Sequence, residues 1–342
     1  MKFHILETLR SEICHYASPE LMITSRGNQV CVHRSNDSFR VSLPLPVKQR
    51  FLGTARLTRR LFRLDKCNVV PTRNGMVIIY QGKVYHYDFS SHALKQTLTL
   101  KNCRNVLHQS ITVMDEQTVL FGEYGNIATR NEVPVYKSQD GGRTWSVVFM
   151  FPAGKIRHVH GCYYDSFEEK IWTLTGDFKG ECYALCSDLD FKQVEWIGNG
   201  SQEYRACNLF FKEDAVHWVM DSELERSHHI RLDRKTRVIS RKHPFPGPVW
   251  YIKELEDGYH LAATTQETGP GVIDDKAHLM VSRNLQDWED VYHFEKDLFP
   301  KRYFKAGVIG FADGPQSSDS FYLFGEALRG LDGKTLRCSI SS

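Results

Sequence analysis

Short runs of β-branched and aromatic residues recur down the chain: MVIIY at 76–80, TVLFGE at 118–123, IWTLTGD at 171–177, VHWVMDS at 216–222, YHLAATT at 259–265 and FYLFGEA at 321–327. Each is the length of a buried strand, and turn residues such as Asn74-Gly75, Asp257-Gly258 and Asp319-Ser320 stand just before several of them. Apolar positions at helical spacing are nearly absent, so the pattern predicts an all-β chain. The runs begin 42 to 62 residues apart, which is the period of a reused supersecondary unit.

A second series keeps the same beat. Each run is followed by another strand and a polar turn: HYDFSSH near 88, YKSQDGG near 138, LCSDLDF near 187, IRLDRKT near 233 and MVSRNLQD near 282. The N-terminal stretch supplies one more unit, with ELMITSR at 20–26, QVCVHRS at 29–35 and the turn SNDSF, which brings the count to seven. KTLRCSI at the C-terminus reads as a third strand lacking a fourth, and FHILETL at 3–9 is a strand with no unit of its own. Pairing the two closes a ring. The expected fold is therefore a β-propeller of four-stranded antiparallel blades, formed by residues 1–342 as a single domain. Seven blades is the primary count. Six is the alternative, because the insertion PLPVKQRFLGTARLTRRLFRLDK at 44–66 shifts the local period.

Composition narrows the partners only slightly. Lys plus Arg is 44 against 41 for Asp plus Glu, so any charged site must come from local clustering, and the one basic run, LTRRLFR at 57–63, is too short to indicate nucleic acid. No apolar run reaches membrane-spanning length, and the N-terminus lacks a secretory apolar core, so a cytoplasmic protein is expected. The nine cysteines are scattered without CxxC or zinc-type spacing and read as reduced, buried thiols.

In a propeller the loops entering each innermost strand and leaving each second strand open on one face around the central channel, the default ligand site. The repeat places the starts of six inner strands at Arg63 with Lys66, Arg104 with His108, Arg157 with His158 and His160, Arg205 with Asn208, Trp250 and Tyr251 with Lys253, and Arg302 and Tyr303 with Lys305. In that register Arg63, Arg104, Arg157, Arg205, Trp250, Lys253, Arg302 and Lys305 form stacked rings that would bind a carboxylate, sulfate or phosphate. Second strands ending in Glu123, Asp177, Asp221 with Glu223, Glu267 and Glu326 bring acids to the same face. The same residues could equally be salt bridges tying blades together. His158 and His160, two apart on a strand, point the same way. They suit an acid/base and its orienting partner or a divalent metal pair, with His108 as a third imidazole near the channel.

Ser138-x-Asp140-x-Gly142-x-Thr144-Trp145 resembles the Asp-box, the repeat of the sialidase-like propeller family, over its full length. VSRNLQDW at 281–288, with Asn284 in the Asp place, is a shortened copy, and LCSDLDF at 185–191 and HRSNDSF at 33–39 are weaker relatives. The resemblance implies that the box lies between the third and fourth strands of a blade, on the rim away from the active face, with Asp140 a turn residue. It also implies a glycoside hydrolase acting on a carboxylate-bearing glycan of bacterial surface polysaccharide type. Arg157, Arg205 and Arg302 would be the carboxylate cluster, Tyr251 or Tyr303 the nucleophile, and Glu223, Glu326 or Asp177 the acids. The arginine motif that opens the sialidase pattern is missing here. Two other readings stay open: a uronate polysaccharide lyase using His108, His158, His160, Tyr251 and Arg205, and a non-catalytic glycan-binding propeller. The partner expected in all three is an acidic oligosaccharide or polysaccharide, with no cofactor beyond the metal option at His158 and His160.

Overall fold

The computed structural model describes residues 1–10, 12–125 and 129–341. Seven four-stranded antiparallel sheets follow one another in chain order, which is the seven-bladed propeller. The inner strands of the first six blades are Ile13–Ala17, Cys67–Thr72, Thr112–Met114, His158–Asp165, Phe210–Phe211 and Val249–Glu254. The seventh blade takes Val308–Phe311, Phe321–Glu326 and Lys334–Ser341 from the C-terminus, and Lys2–Leu9 completes it from the N-terminus in a register running from Lys2 opposite Ser341 to Leu9 opposite Thr335. Joining the chain ends in one sheet completes the ring and gives Lys334–Ser341 a partner on its outer side.

All six apolar runs form the second strands of their blades, where both faces are covered by neighbouring blades. This explains why they read as continuous rather than alternating. MVIIY is buried throughout, and Trp172 and Trp218 meet between the fourth and fifth blades in one cluster with Leu174, Ile230 and Leu232. An outer strand can alternate instead, as Asp37–Ser42 does, with Phe39 and Val41 its covered positions. A buried ion pair also joins these two blades, Arg234 Nη1 and Nη2 lying 2.5 and 3.0 Å from the two oxygens of Asp165.

The insertion accounts for the disturbed period without removing a blade. It folds as two short helices, Val47–Leu52 and Arg56–Leu61, between the first and second blades. Pro300 starts a third, Lys301–Phe304, ahead of the seventh. These helices correct the register expected for the inner strands. Cys67 and Val308 begin their strands, not Arg63 and Arg302, and the third and fifth inner strands begin at Thr112 and Phe210, well after Arg104 and Arg205. Arg63, Arg104 and Arg205 thus stand in the loops ahead of their inner strands, and Arg302 in the third helix. Among the described residues all nine cysteines are free, and no helix is long and apolar enough to cross a membrane.

The box turn sits where the resemblance places it, between Val133–Ser138 and Ser146–Phe151 of the third blade. Asp140 Oδ1 accepts from the Arg143 and Thr144 N–H groups at 3.0 and 2.9 Å, Oδ2 accepts from Thr144 Oγ1 at 2.6 Å, and the Trp145 ring packs edge-on against Phe121. Gly142 adopts φ +92°, and a Cβ there would meet Val77 at 2.3 Å, so only glycine fits the turn.

Candidate functional site

Two polar centres meet at the channel mouth. The first is built around Asp177, which follows the second strand of the fourth blade, Lys170–Gly176. His158 and His160 open the neighbouring inner strand, where the register shifts between Val159 and Gly161, a bulge of the kind that re-aims side chains. Asp177 Oδ1 lies 3.1 Å from His160 Nε2 and 3.4 Å from His158 Nε2, and the two Nε2 atoms are 3.1 Å apart. Arg157 Nη1 holds the other carboxylate oxygen at 2.7 Å. Glycine at 176 lets the strands approach, since a Cβ there would sit 2.6 Å from His160 Cε1.

The ring tautomers follow from the partners. His158 Nδ1 lies 2.9 Å from the Gly125 carbonyl and His160 Nδ1 2.8 Å from the Ala206 carbonyl. A carbonyl only accepts, so both Nδ1 atoms carry hydrogen, and in the neutral rings both Nε2 lone pairs face Asp177. Burial opposes the Asp177 charge, but the two imidazoles, wherever an Nε2 carries a proton to share with Oδ1, hold its carboxyl far below the usual carboxylate range.

Behind this centre, Arg205 is buried among carboxylates. Its Nη1 lies 2.7 Å from Glu223, its Nε 3.3 Å from Asp221 and its Nη2 3.5 Å from Asp177. Asp221 accepts from Trp250 Nε1 at 2.8 Å and from the Cys207 thiol at 3.3 Å. Burial pushes the Asp221 carboxyl above its ordinary value despite Arg205.

The second centre is a His–Glu pair. His108 Nε2 lies 3.2 Å from Glu326 Oε1, and Lys305 Nζ bonds the other oxygen of the same carboxylate. Burial disfavours charge on Glu326, yet Lys305, His108 and Lys66 together hold it well below the usual carboxylate range. Burial lowers the His108 pKa against the pull of Glu326. An ionised Glu326 therefore fixes a neutral ring with hydrogen on Nε2 and the lone pair on Nδ1.

Arg63 and Lys66 line a small pocket with His108, Lys305 and Glu326, and they also line a cleft of about 470 Å³ shared with Lys101, Arg104, Asn105 and Tyr124. The residues lining this cleft include four cations and no carboxylate. Burial, then the neighbouring Lys305, lowers the Lys66 pKa to about 7. The floor links the two centres: Tyr124 lies under Lys66, with Nζ 5.8 Å from the ring centroid, and packs at a tilt against the His158 ring, centroids 4.1 Å apart. A larger cavity, about 830 Å³, lies elsewhere, between the first blade and the helical insertion, and contains none of these groups.

The structure brings Arg157, His158, His160, Asp177, Arg205, Glu223 and Trp250 into one network, and His108, Glu326 and Lys305 into another. Tyr251 is buried, its hydroxyl accepting from the His108 N–H at 3.3 Å. The remaining candidates stand apart from both networks. Glu123 is a buried clasp that accepts from the N–H groups of Lys101 and Asn102 and from the Tyr136 hydroxyl. Lys253 donates to the Gly314 carbonyl. Arg302 lies over the ring of Tyr303, which is 53% exposed on the short helix. His108 makes its ring contacts with His15, Tyr251 and Phe324 and not with the His158–His160 pair. Lys101, Tyr124 and Cys207 were not singled out from sequence. Their one signal is position, in the loops before inner strands or after second strands.

No protein-family model matches the chain, and no curated protein does. Among solved structures, the extracellular domain of a one-component system from B. thetaiotaomicron aligns over 100% of this chain and 40% of its own, with TM-score 0.55 and 10% identity. An extracellular domain described as a hybrid two-component system from the same organism aligns over 98% and 39%, with TM-score 0.55 and 12% identity. The chain thus spans about 40% of the length of these structures, and at such identity the likeness shows the propeller fold alone.

Proposed function

We propose that the chain binds a carboxylate-bearing saccharide in the cleft between Arg63, Lys66, Lys101 and Arg104 and cleaves it by removing the proton α to that carboxylate. The supporting observation is the cleft itself: four cations and no lining carboxylate, with Arg63 and Lys66 shared with the small pocket that holds the His108–Glu326 pair. Cations against the carboxylate favour the enediolate-like charge that builds on proton removal. His108, neutral and oriented by Glu326, is the base, taking the proton on Nδ1. The electron pair of the broken C–H bond forms the new C=C bond, and the glycosidic oxygen leaves and is protonated by water.

Glycoside hydrolysis is the second reading, favoured by two carboxyls, Asp221 and Glu223, held on one guanidinium, with burial raising that of Asp221. A tyrosine nucleophile fits less well, since no described carboxylate is hydrogen-bonded to Tyr251 and Tyr303 lies outside the networks.

One assay separates the outcomes. The protein is incubated with uronate-containing and sialylated oligosaccharides while the ultraviolet absorbance of an unsaturated uronate and the release of reducing ends are followed. Rising absorbance supports elimination, and release without absorbance supports hydrolysis. Retained affinity for acidic over neutral saccharides without either leaves a binding propeller. Equal or absent affinity for both refutes the acidic-saccharide reading.

A further inference from the structure

We infer that His158, His160 and Asp177 form a binding site for one divalent first-row metal ion of zinc-like character, ligated by the two Nε2 atoms and Oδ1. The argument starts from the lone pairs. Both imidazoles are oriented from behind by Nδ1–H bonds to backbone carbonyls, the outer-shell arrangement that fixes metal-binding histidines. Two lone-pair nitrogens and an anionic oxygen are then held within 3.1 to 3.4 Å of one another, among side chains that are almost fully buried at both histidines. Three acceptors repel at that distance unless a cation or a proton lies among them.

The spacing suits a metal. A tetrahedral ion about 2.05 Å from each ligand sets its ligands roughly 3.3 Å apart, and a six-coordinate ion at about 2.1 Å sets adjacent ligands roughly 3.0 Å apart. The three observed edges, 3.1, 3.1 and 3.4 Å, fall in and around that range. The circle through the three atoms has a radius of about 1.9 Å, so a single point about 2.05 Å from all of them exists just outside their plane. Two nitrogens and one oxygen form an open three-ligand set, leaving at least one position for water or a substrate oxygen. Arg157 on the far oxygen of Asp177 keeps Oδ1 turned inward.

The alternative set of His160, Cys207 and Asp221 would need His160 Nδ1, which is already committed to Ala206, and a thiol that burial holds well above its ordinary pKa. The inference concerns binding, and it does not depend on which saccharide, if any, is cleaved.

The test uses the 342-residue chain stripped with a chelator, equilibrated in turn with Zn²⁺, Mn²⁺ and Co²⁺, desalted, and measured by elemental analysis and by the visible spectrum of the Co²⁺ form. One retained ion per chain is expected, with affinity lowered about tenfold or more in Asp177→Asn and in His158→Gln. Retention of none of the three ions overturns the inference. So does an ion whose affinity is unchanged in both variants, since it then binds elsewhere. If the variants do not fold, the wild-type Co²⁺ form decides by NMR. The ring resonances of His158 and His160 should be the first histidine signals displaced, and a different pair moving first refutes the site. Stoichiometric metal without turnover of any saccharide counts against the proposed function and leaves the metal site standing.

Discussion

Asp140→Ala separates a structural turn from a functional one. In the folded chain the Asp140 carboxylate accepts four hydrogen bonds, from the Arg143 and Thr144 N–H groups, from Ser138 Oγ at 2.8 Å and from Thr144 Oγ1. Alanine removes all four, but the turn sits at the rim and water can reach the released N–H groups. The Gly142 N–H keeps its bond to Ser138 Oγ at 2.8 Å, and Trp145 keeps its bond to Thr97 and its contact with Phe121. The loss then resembles that of a helix N-cap, about 1–2 kcal/mol. Unfolding entropy of roughly 2.1 cal/mol/K per residue converts this to a fall in melting temperature of about 2 °C for a chain of this length.

Acidity gives a second check on the same variant. Burial opposes the Asp140 charge, yet bonds from Thr144, Ser138 and Arg143 depress its pKa below the ordinary 3.8. A depressed carboxyl stabilises the fold above its unfolded value and ceases to do so as pH falls through the folded one. The difference between wild type and Asp140→Ala should be full at pH 6 and shrink below about pH 4. Calorimetry at both pH values, together with saccharide affinity, tests this. An unshifted melting temperature with lost affinity would show that Asp140 serves the ligand and that the turn has been misread.

Three further outcomes are expected. Arg234→Ala leaves the Asp165 carboxyl fully buried between blades without its two-pronged partner. It should cost about 3–5 kcal/mol in urea unfolding, most of it recovered when Arg234→Met is combined with Asp165→Asn; additive losses would show that the pair is not coupled. Affinity for an acidic saccharide should fall as pH rises through about 7, where Lys66 loses its proton amid Lys305, Arg63, Glu326 and Cys103, and Lys66→Met should flatten the profile; an unchanged profile would remove Lys66 from the cleft's function. Tyr251→Phe should keep turnover within about tenfold of wild type if elimination is the chemistry, whereas a tyrosine nucleophile predicts loss by several orders of magnitude.

The blades were legible because propeller packing writes itself into single strands. A second strand covered on both faces must be apolar throughout, so MVIIY and IWTLTG mark their blades without help from neighbours. The closing pair was legible for a related reason: Lys2–Leu9 belonged to no local unit, Lys334–Ser341 had Phe321–Glu326 on one side but no fourth strand on the other, and strands do not leave their edges unpaired at no cost. The helical insertion was not, since six-residue helices are too short to establish a period, and Val47–Leu52 buries none of its own residues.

The site divides along the same line. His158 and His160 could be paired from sequence because a strand sends alternate residues to one side. The bulge at Val159–Gly161 keeps them together while turning them toward the next strand. Asp177 became their partner only through pairing that sets His158 opposite Gly176, a relation between strands that residue spacing does not encode. Arg205 shows the limit most clearly. Its place before an inner strand suggested a free guanidinium for substrate, yet the fold surrounds it with Asp177, Asp221 and Glu223, so its charge is spent inside the protein. Arg63, Lys66, Lys101 and Arg104 instead line a cleft that contains no carboxylate, although Glu326 reaches Lys66 from the adjoining pocket. An arginine or lysine in a propeller loop is thus free for a ligand only where the acid ending the neighbouring second strand is taken up by other donors, as Glu123 is by the Lys101 and Asn102 N–H groups and the Tyr136 hydroxyl. Here that condition selects the cleft beside Tyr124 over the pocket around Arg205.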